Sequence, residues 1–217
     1  MKPPRMVLVP VLLLVAASTA RAQEPRLAGR VAEPARGQVD AILAAARARG
    51  LPVEPLVDRA LEGAAKGAAP ALIVSAVTRL RDELVVARTA FGEGATGAEL
   101  TAGASALRAG ATTGSLERLK ARRPGRPLTV AAAVMADLVA AGVPADTAVG
   151  AVLALASDAD DADYLSFRRN VQSDIAQGAS PSAALAVRIR AAVSGADVTT
   201  SPSTGPTSQS APRKRKP

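Results

Sequence analysis

The chain contains no cysteine, no histidine and no tryptophan, and its only aromatic residues are Phe91, Tyr164 and Phe167. Without Cys there can be no disulfide framework, no thiolate metal site, no thiol nucleophile and no lipid carried on a processed N-terminal Cys. Without His, the commonest general base and nitrogen ligand is missing. Carboxylate or Ser-Lys chemistry remains formally open. However, Lys66 and Lys120 are the only lysines between residues 23 and 196, and both border polar or Gly-rich turns rather than an apolar pocket that would depress a lysine pKa. A carboxylate glycosidase would want aromatic platforms that this composition cannot supply. The expectation is a protein that is not an enzyme and needs no cofactor, with a His-less carboxylate hydrolase as an alternative.

The N-terminus reads as an address. Lys2 and Arg5 give a positive start, Val7 to Ala17 is an apolar run of eleven residues, and Ala20-Arg21-Ala22 offers small residues at the two positions that a signal peptidase reads. Pro10 interrupts a run already far below the roughly 20 residues needed to span a bilayer. We therefore expect residues 1–22 to be a signal peptide cleaved before Gln23. The product would be periplasmic or secreted, with no membrane-spanning segment left after processing.

The formal charge of +8 suggests nucleic acid until it is divided. Removing the signal leaves 24 basic against 19 acidic residues, and residues 23–196 hold 20 against 18. Most of the excess lies in the signal and in Arg213, Lys214, Arg215 and Lys216 at the far end, so no continuous basic face for phosphates is expected and no nucleic-acid partner with it.

What the chain does have is alanine, together with a recurring corner. Six stretches place Gly after an apolar helical stripe and a small residue or Pro before the next: Gly50-Leu51-Pro52, Gly67-Ala68-Ala69-Pro70, Gly94-Ala95-Thr96, Gly110-Ala111-Thr112, Gly142-Val143-Pro144 and Gly178-Ala179-Ser180-Pro181. Gly accepts the left-handed conformation just past a helix C-terminus, and Pro suits the first helical turn, where its missing N–H is no loss. The pattern predicts an all-α fold, an array of about nine antiparallel helices in hairpins over residues 38–193. An extended leader with little order (23–37) precedes it, and a disordered Ser/Thr/Pro-rich tail with a basic end (194–217) follows.

Within that array the periodicity predicts helices over Gln38–Arg49, from Pro52 to Gly67 and over Pro70–Phe91. The third is the longest and the expected central packing element. Thr96 with Glu99 three residues later matches a capping box, and Gly103 inside the fourth helix implies either a weaker helix or a closely crossing neighbour. The Arg122-Arg123-Pro124-Gly125-Arg126-Pro127 stretch is the one clear interruption, so residues 123–127 are where a single helical domain could subdivide. Tetratricopeptide and ankyrin signatures are absent. The pattern loosely resembles exported helical proteins from bacteria with Ala- and Arg-rich coding, a likeness that implies an envelope setting and carries no activity.

Two clusters are site-like. Asp158, Asp160, Asp161 and Asp163 could supply carboxylate oxygens to Ca²⁺, but the sixth position from Asp158 is Asp163 instead of Gly and the twelfth is Arg169 instead of Glu. The competing reading is that these residues cap a helix and complement its dipole. Arg118, Lys120, Arg122, Arg123 and Arg126 could grip an anionic surface such as lipid headgroups or a cell-wall polymer, with the terminal Arg213–Lys216 run assisting. The competing reading there is a solvated linker. The function expected from sequence is an exported helical interaction or structural module, binding an unidentified protein or peptide in the bacterial cell envelope. The alternative is electrostatic tethering to anionic envelope material through the basic linker and tail.

Overall fold

A computed structural model describes residues 24–194. The expected signal peptide and all but the first residue of the expected tail lie outside the described residues. Among those residues there are nine α-helices, one short 3-10 helix and no strand. The helices are α1 (Ala35–Ala48), α2 (Glu54–Ala65), α3 (Pro70–Phe91), α4 (Gly97–Arg108), α5 (Thr113–Arg122), α6 (Thr129–Ala140), α7 (Ala145–Leu155), α8 (Asp161–Ala176) and α9 (Pro181–Val193). None is long and apolar enough to cross a membrane.

The described residues form two compact units, divided between Val85 and Val86. The division falls at Val85/Val86, within α3, and not at residues 123–127. It also changes the role expected of α3, which is shared between the two units instead of being the centre of one.

In the first unit the segment before Gly37 is not an extended leader. Pro25–Leu27 is a 3-10 helix that contacts α2. Leu27 and Val31 are buried with Val39, Leu43, Leu56 and Val57. Two apolar side chains suffice to anchor this piece, although they are too few to register as a period. Arg26 adds a fork of bonds to both oxygens of Glu54, at 2.5 and 2.8 Å, which holds Glu54 below the usual carboxylate range.

In the second unit α6 is the hub, packing on α4, α7 and α8, while α9 packs on α7 and α8. Small side chains make these approaches close: Ala102, Ala106, Ala131, Ala132, Ala148 and Ala151 are all buried in one cluster with Leu138, Val152 and Phe167. Gly103 shows why. A Cβ built there would lie 2.8 Å from Phe91 Cε2 and 3.0 Å from the Ala87 Cβ, so the glycine marks a crossing neighbour and not a weak helix.

Helix ends follow the local chemistry of the sequence. The Thr96/Glu99 capping box is formed, with Thr96 N donating to Glu99 Oε2 at 2.8 Å and Glu99 N to Thr96 Oγ1 at 3.2 Å. The other oxygen of Glu99 accepts from Leu128 N at 3.0 Å, so one carboxylate joins the starts of α4 and α6. Burial alone would push Glu99 up, but the combined bonds from Thr96 and Leu128 outweigh it and its pKa is lowered. At the end of α6, Gly142 N donates to Val139 O and Val143 N to Leu138 O, the paired bonds of a left-handed helix stop. Five of the six expected corner glycines adopt positive φ. After α3 the left-handed residue is Gly92, not Gly94.

Candidate functional site

The two clusters singled out in the sequence meet in the structure. Arg122, Arg123 and Arg126, at the α5–α6 connection, reach the end of α7 and the turn that leads into α8. Arg122 Nη1 donates to Leu153 O at 2.6 Å, and Arg126 donates to Ser157 O at 3.0 Å and Ala159 O at 2.5 Å. Arg123 lies between them with its side chain only 1% exposed. It donates to Pro127 O at 3.2 Å, to Ala159 O at 2.6 Å and to Asp161 Oδ1 at 3.1 Å. Its Cζ stands 5.1 Å from the centre of the Tyr164 ring.

Tyr164 completes the cluster from the α8 side. Its hydroxyl donates to Val152 O at 3.0 Å, and burial pushes its pKa up against the opposing pull of Arg123. The last carbonyls of a helix have no partner within it and carry the negative end of its dipole. Here Tyr164 takes Val152 O, Arg122 takes Leu153 O, and the other two arginines take carbonyls of the following turn. The arrangement is a helix C-terminus satisfied by cations and sealed by an aromatic ring.

Arg123 is withdrawn from solvent and spends its donors inside the fold, so it presents no charge to an anionic surface. Arg122 and Arg126 each donate to carbonyls of the fold, with Arg122 still exposed. These bonds tie the stretch to the α7–α8 connection. Arg118 and Lys120 are exposed, whereas Arg213, Lys214, Arg215 and Lys216 lie outside the described residues.

The acidic turn is likewise occupied by structure. Asp163 N donates to Asp160 Oδ1 at 2.9 Å and Asp160 N to Asp163 Oδ2 at 2.8 Å, a reciprocal cap on α8. The bond from the Asp163 N–H is the main cause of a lowered Asp160 pKa. Asp161 faces Arg123, and Asp158 is exposed. Among the described residues no group of three or more Asp, Glu, His or Cys is placed to hold a metal ion.

A different surface stands out, one that the helical periodicity of the sequence does not separate from the core pattern. On α9, Ala184 and Leu185 are buried, and Arg188 is forked onto Asp174 of α8 at 2.7 Å through both Nε and Nη2. The opposite side of α9 is exposed. At 3.6 residues per turn, Ala183, Ala186, Val187, Arg190 and Val193 fall within an arc of about 120°, and Val187 and Val193 are 60% and 65% exposed. Arg190 is the only charge on this arc. Leu72, 64% exposed at the start of α3, has no such setting, because the face below it continues with Ser75 and Arg79.

The chain matches no protein-family model, no curated protein and no solved structure.

Proposed function

We propose that this chain is an exported, non-enzymatic helical module that binds a protein or peptide partner in the bacterial cell envelope through the outer face of α9. The observation that carries the proposal is the exposed Ala183–Val193 arc with Val187 and Val193 wet. Arg188 of this helix is forked onto Asp174, and the opposite face is apolar with a single cation turned to solvent. The occupant that fits is an apolar segment carrying an acidic side chain to meet Arg190, docked helix against helix at the close approach that small residues permit. The carboxyls offer no support to a hydrolase: each one with a displaced pKa, namely Glu24, Glu54, Glu62, Glu99, Asp160 and Asp174, is displaced downward, whereas a general acid needs one raised.

The test is a photo-crosslinkable residue at Val187, with the same residue at the exposed Ala154 of α7 as control, in cells secreting the full chain. A partner captured at Val187 and not at Ala154 is then purified and rebound. We expect Val187→Glu with Val193→Glu to weaken binding at least about tenfold, which is 1.4 kcal/mol. Unchanged affinity in the double variant would remove α9 as the docking face. Loss of all association in a chain ending at Ser194 would favour instead the electrostatic tether, which then rests on the tail with Arg118 and Lys120.

A further inference from the structure

Asp58 is a carboxylate without a partner on the most acidic helix among the described residues. Helix α2 carries Glu54, Asp58 and Glu62 against Arg59 alone, an acidic excess of two that no other described helix reaches. Glu54 is held by Arg26, and Glu62 by Arg59 and Lys66 at 2.9 and 2.5 Å. Asp58 is exposed and makes no hydrogen bond or ion pair among the described residues. At 3.6 residues per turn it shares an arc of about 100° with Glu54, Leu61, Glu62 and Ala65, where Leu61 is partly buried and Ala65 exposed. The outer side of α2 thus sets one unmatched acid beside two apolar side chains.

Helix α9 is its opposite. It holds Arg188 and Arg190 and no acid. Arg188 is taken by Asp174, whereas Arg190 is exposed with no partner among the described residues. The two faces also agree in spacing. Laid antiparallel with Arg190 opposite Asp58, they set Val187 opposite Leu61 and Ala183 opposite Ala65, because these residues stand three and seven places from the charge in opposite chain directions. Val193 meets Pro55 by the same count. In a parallel arrangement Ala183 would fall opposite Leu51, beyond the start of α2. The antiparallel one also brings the negative C-terminal end of α9 to the positive N-terminal end of α2. Other unpartnered acids have poorer settings: Glu117 lies among Arg118, Lys120 and Arg122 of α5, which repel Arg190, and Asp146 has only Gly150 and Ala154 along its side of α7.

We propose that the occupant of the α9 face is α2 of a second copy of this chain. The proposal rests on the reading of α9 as a docking face and names its partner. The two faces differ, so every copy offers one of each and association runs head to tail, giving a ring where the rotation closes and a filament where it does not. One helix laid on one helix falls at the weak end of specific interfaces, so copies exchange freely and assembly sets in as their concentration rises. A structural module of this kind extends by adding copies of itself.

The experiment follows the full chain, purified from secreting cells, by sedimentation from about 1 µM to about 1 mM, the range over which a weak contact saturates. We expect the average mass to rise with concentration. Arg190→Glu and Asp58→Arg should each weaken association at least about threefold, the scale of a charge pair that stays near water, and high salt should shrink both effects. An equimolar mixture of the two single variants should associate as the parent does, since each supplies the charge the other has lost, and that recovery also shows that both are folded. A photo-crosslinkable residue at Val187 in mixed light and heavy isotope-labelled chains should join light to heavy at α2. A chain that stays monomeric throughout, variants that associate as the parent does, or a crosslink to α2 confined to single chains would overturn self-association. A foreign protein captured at Val187 by a monomeric chain would also overturn it while leaving α9 as a docking face, and no capture at Val187 at all would remove the face and this partner together.

Discussion

Arg123 offers the sharpest test of the structure, because the sequence places it in a basic linker and the fold buries it. Arg123→Ala removes three donated bonds and the contact with Tyr164. The acceptors left behind are not all orphaned: Ala159 O keeps the bond from Arg126, and Asp161, 41% exposed, can take water. The cost therefore comes mainly from the void and from the lost cation–ring contact, the latter about 1–2 kcal/mol for a desolvated pair. A buried side chain of this size truncated to Ala costs about 3 kcal/mol with incomplete relaxation. We expect a total near 3–4 kcal/mol in urea unfolding followed by circular dichroism. Arg123→Met refills much of the volume without a charge to desolvate, and should cost no more than about 1–2 kcal/mol. An Arg123→Ala protein within about 0.5 kcal/mol of the parent, the range of ordinary surface changes, would refute the reasoning. So would one of unchanged stability that bound anionic vesicles less well.

Four further outcomes follow from the same geometry. Gly103→Ala should destabilise by about 1–2 kcal/mol, since forcing a methyl against Phe91 and Ala87 outweighs the gain of about 1 kcal/mol in helix propensity. Gly150→Ala, with nothing within 4 Å of a built Cβ, should stabilise by about 0.5–1 kcal/mol, and thermal melts of the pair must therefore move in opposite directions. Tyr164→Phe should cost about 1 kcal/mol through the lost bond to Val152 O, and a neutral result in denaturant titration would show that this carbonyl finds another donor. Glu99, its pKa lowered by the bonds from Thr96 and Leu128, contributes stability that is present above its unfolded-state pKa and lost as pH falls through the folded one. Glu99→Gln should accordingly flatten the loss of stability between about pH 5 and about pH 3, and parallel pH profiles for the two proteins would contradict this.

Helix ends were legible in the sequence because their causes are local. Thr96 and Glu99 are three residues apart, Ser180 bonds the N–H of Ala183, and Gly142 stops α6 through bonds to Leu138 and Val139. Pattern alone could not choose between Gly92 and Gly94, which flank a single residue. The fate of the charges was not local. Apart from the Arg123 bond to Pro127 O, Arg122, Arg123 and Arg126 find their acceptors 31 to 38 residues further along, and a stretch read by its immediate neighbours shows only basic residues beside Pro and Gly. Its match is visible in the sequence as the acidic turn of residues 158–163; only the fold closes one onto the other. Asp40 is a signal of a different kind, a charge at the edge of the apolar stripe of α1. It is buried and accepts from Glu24 N at 3.1 Å, and the burial of Leu27 and Val31 explains why residues ahead of α1 supply that bond.

The alanines at the centre of the second unit reverse the usual direction of mutational damage. In a core of leucine and phenylalanine, the harmful substitution is the one that removes atoms. At Ala102, Ala106, Ala131 and Ala132 there is almost nothing to remove, and injury must come from growth, as each added carbon wedges apart helices that were allowed to touch. Such a protein has little room to gain stability by filling its interior, so a lineage carrying it would find improvement at the helix termini and in the surface ion pairs, and would keep its core small.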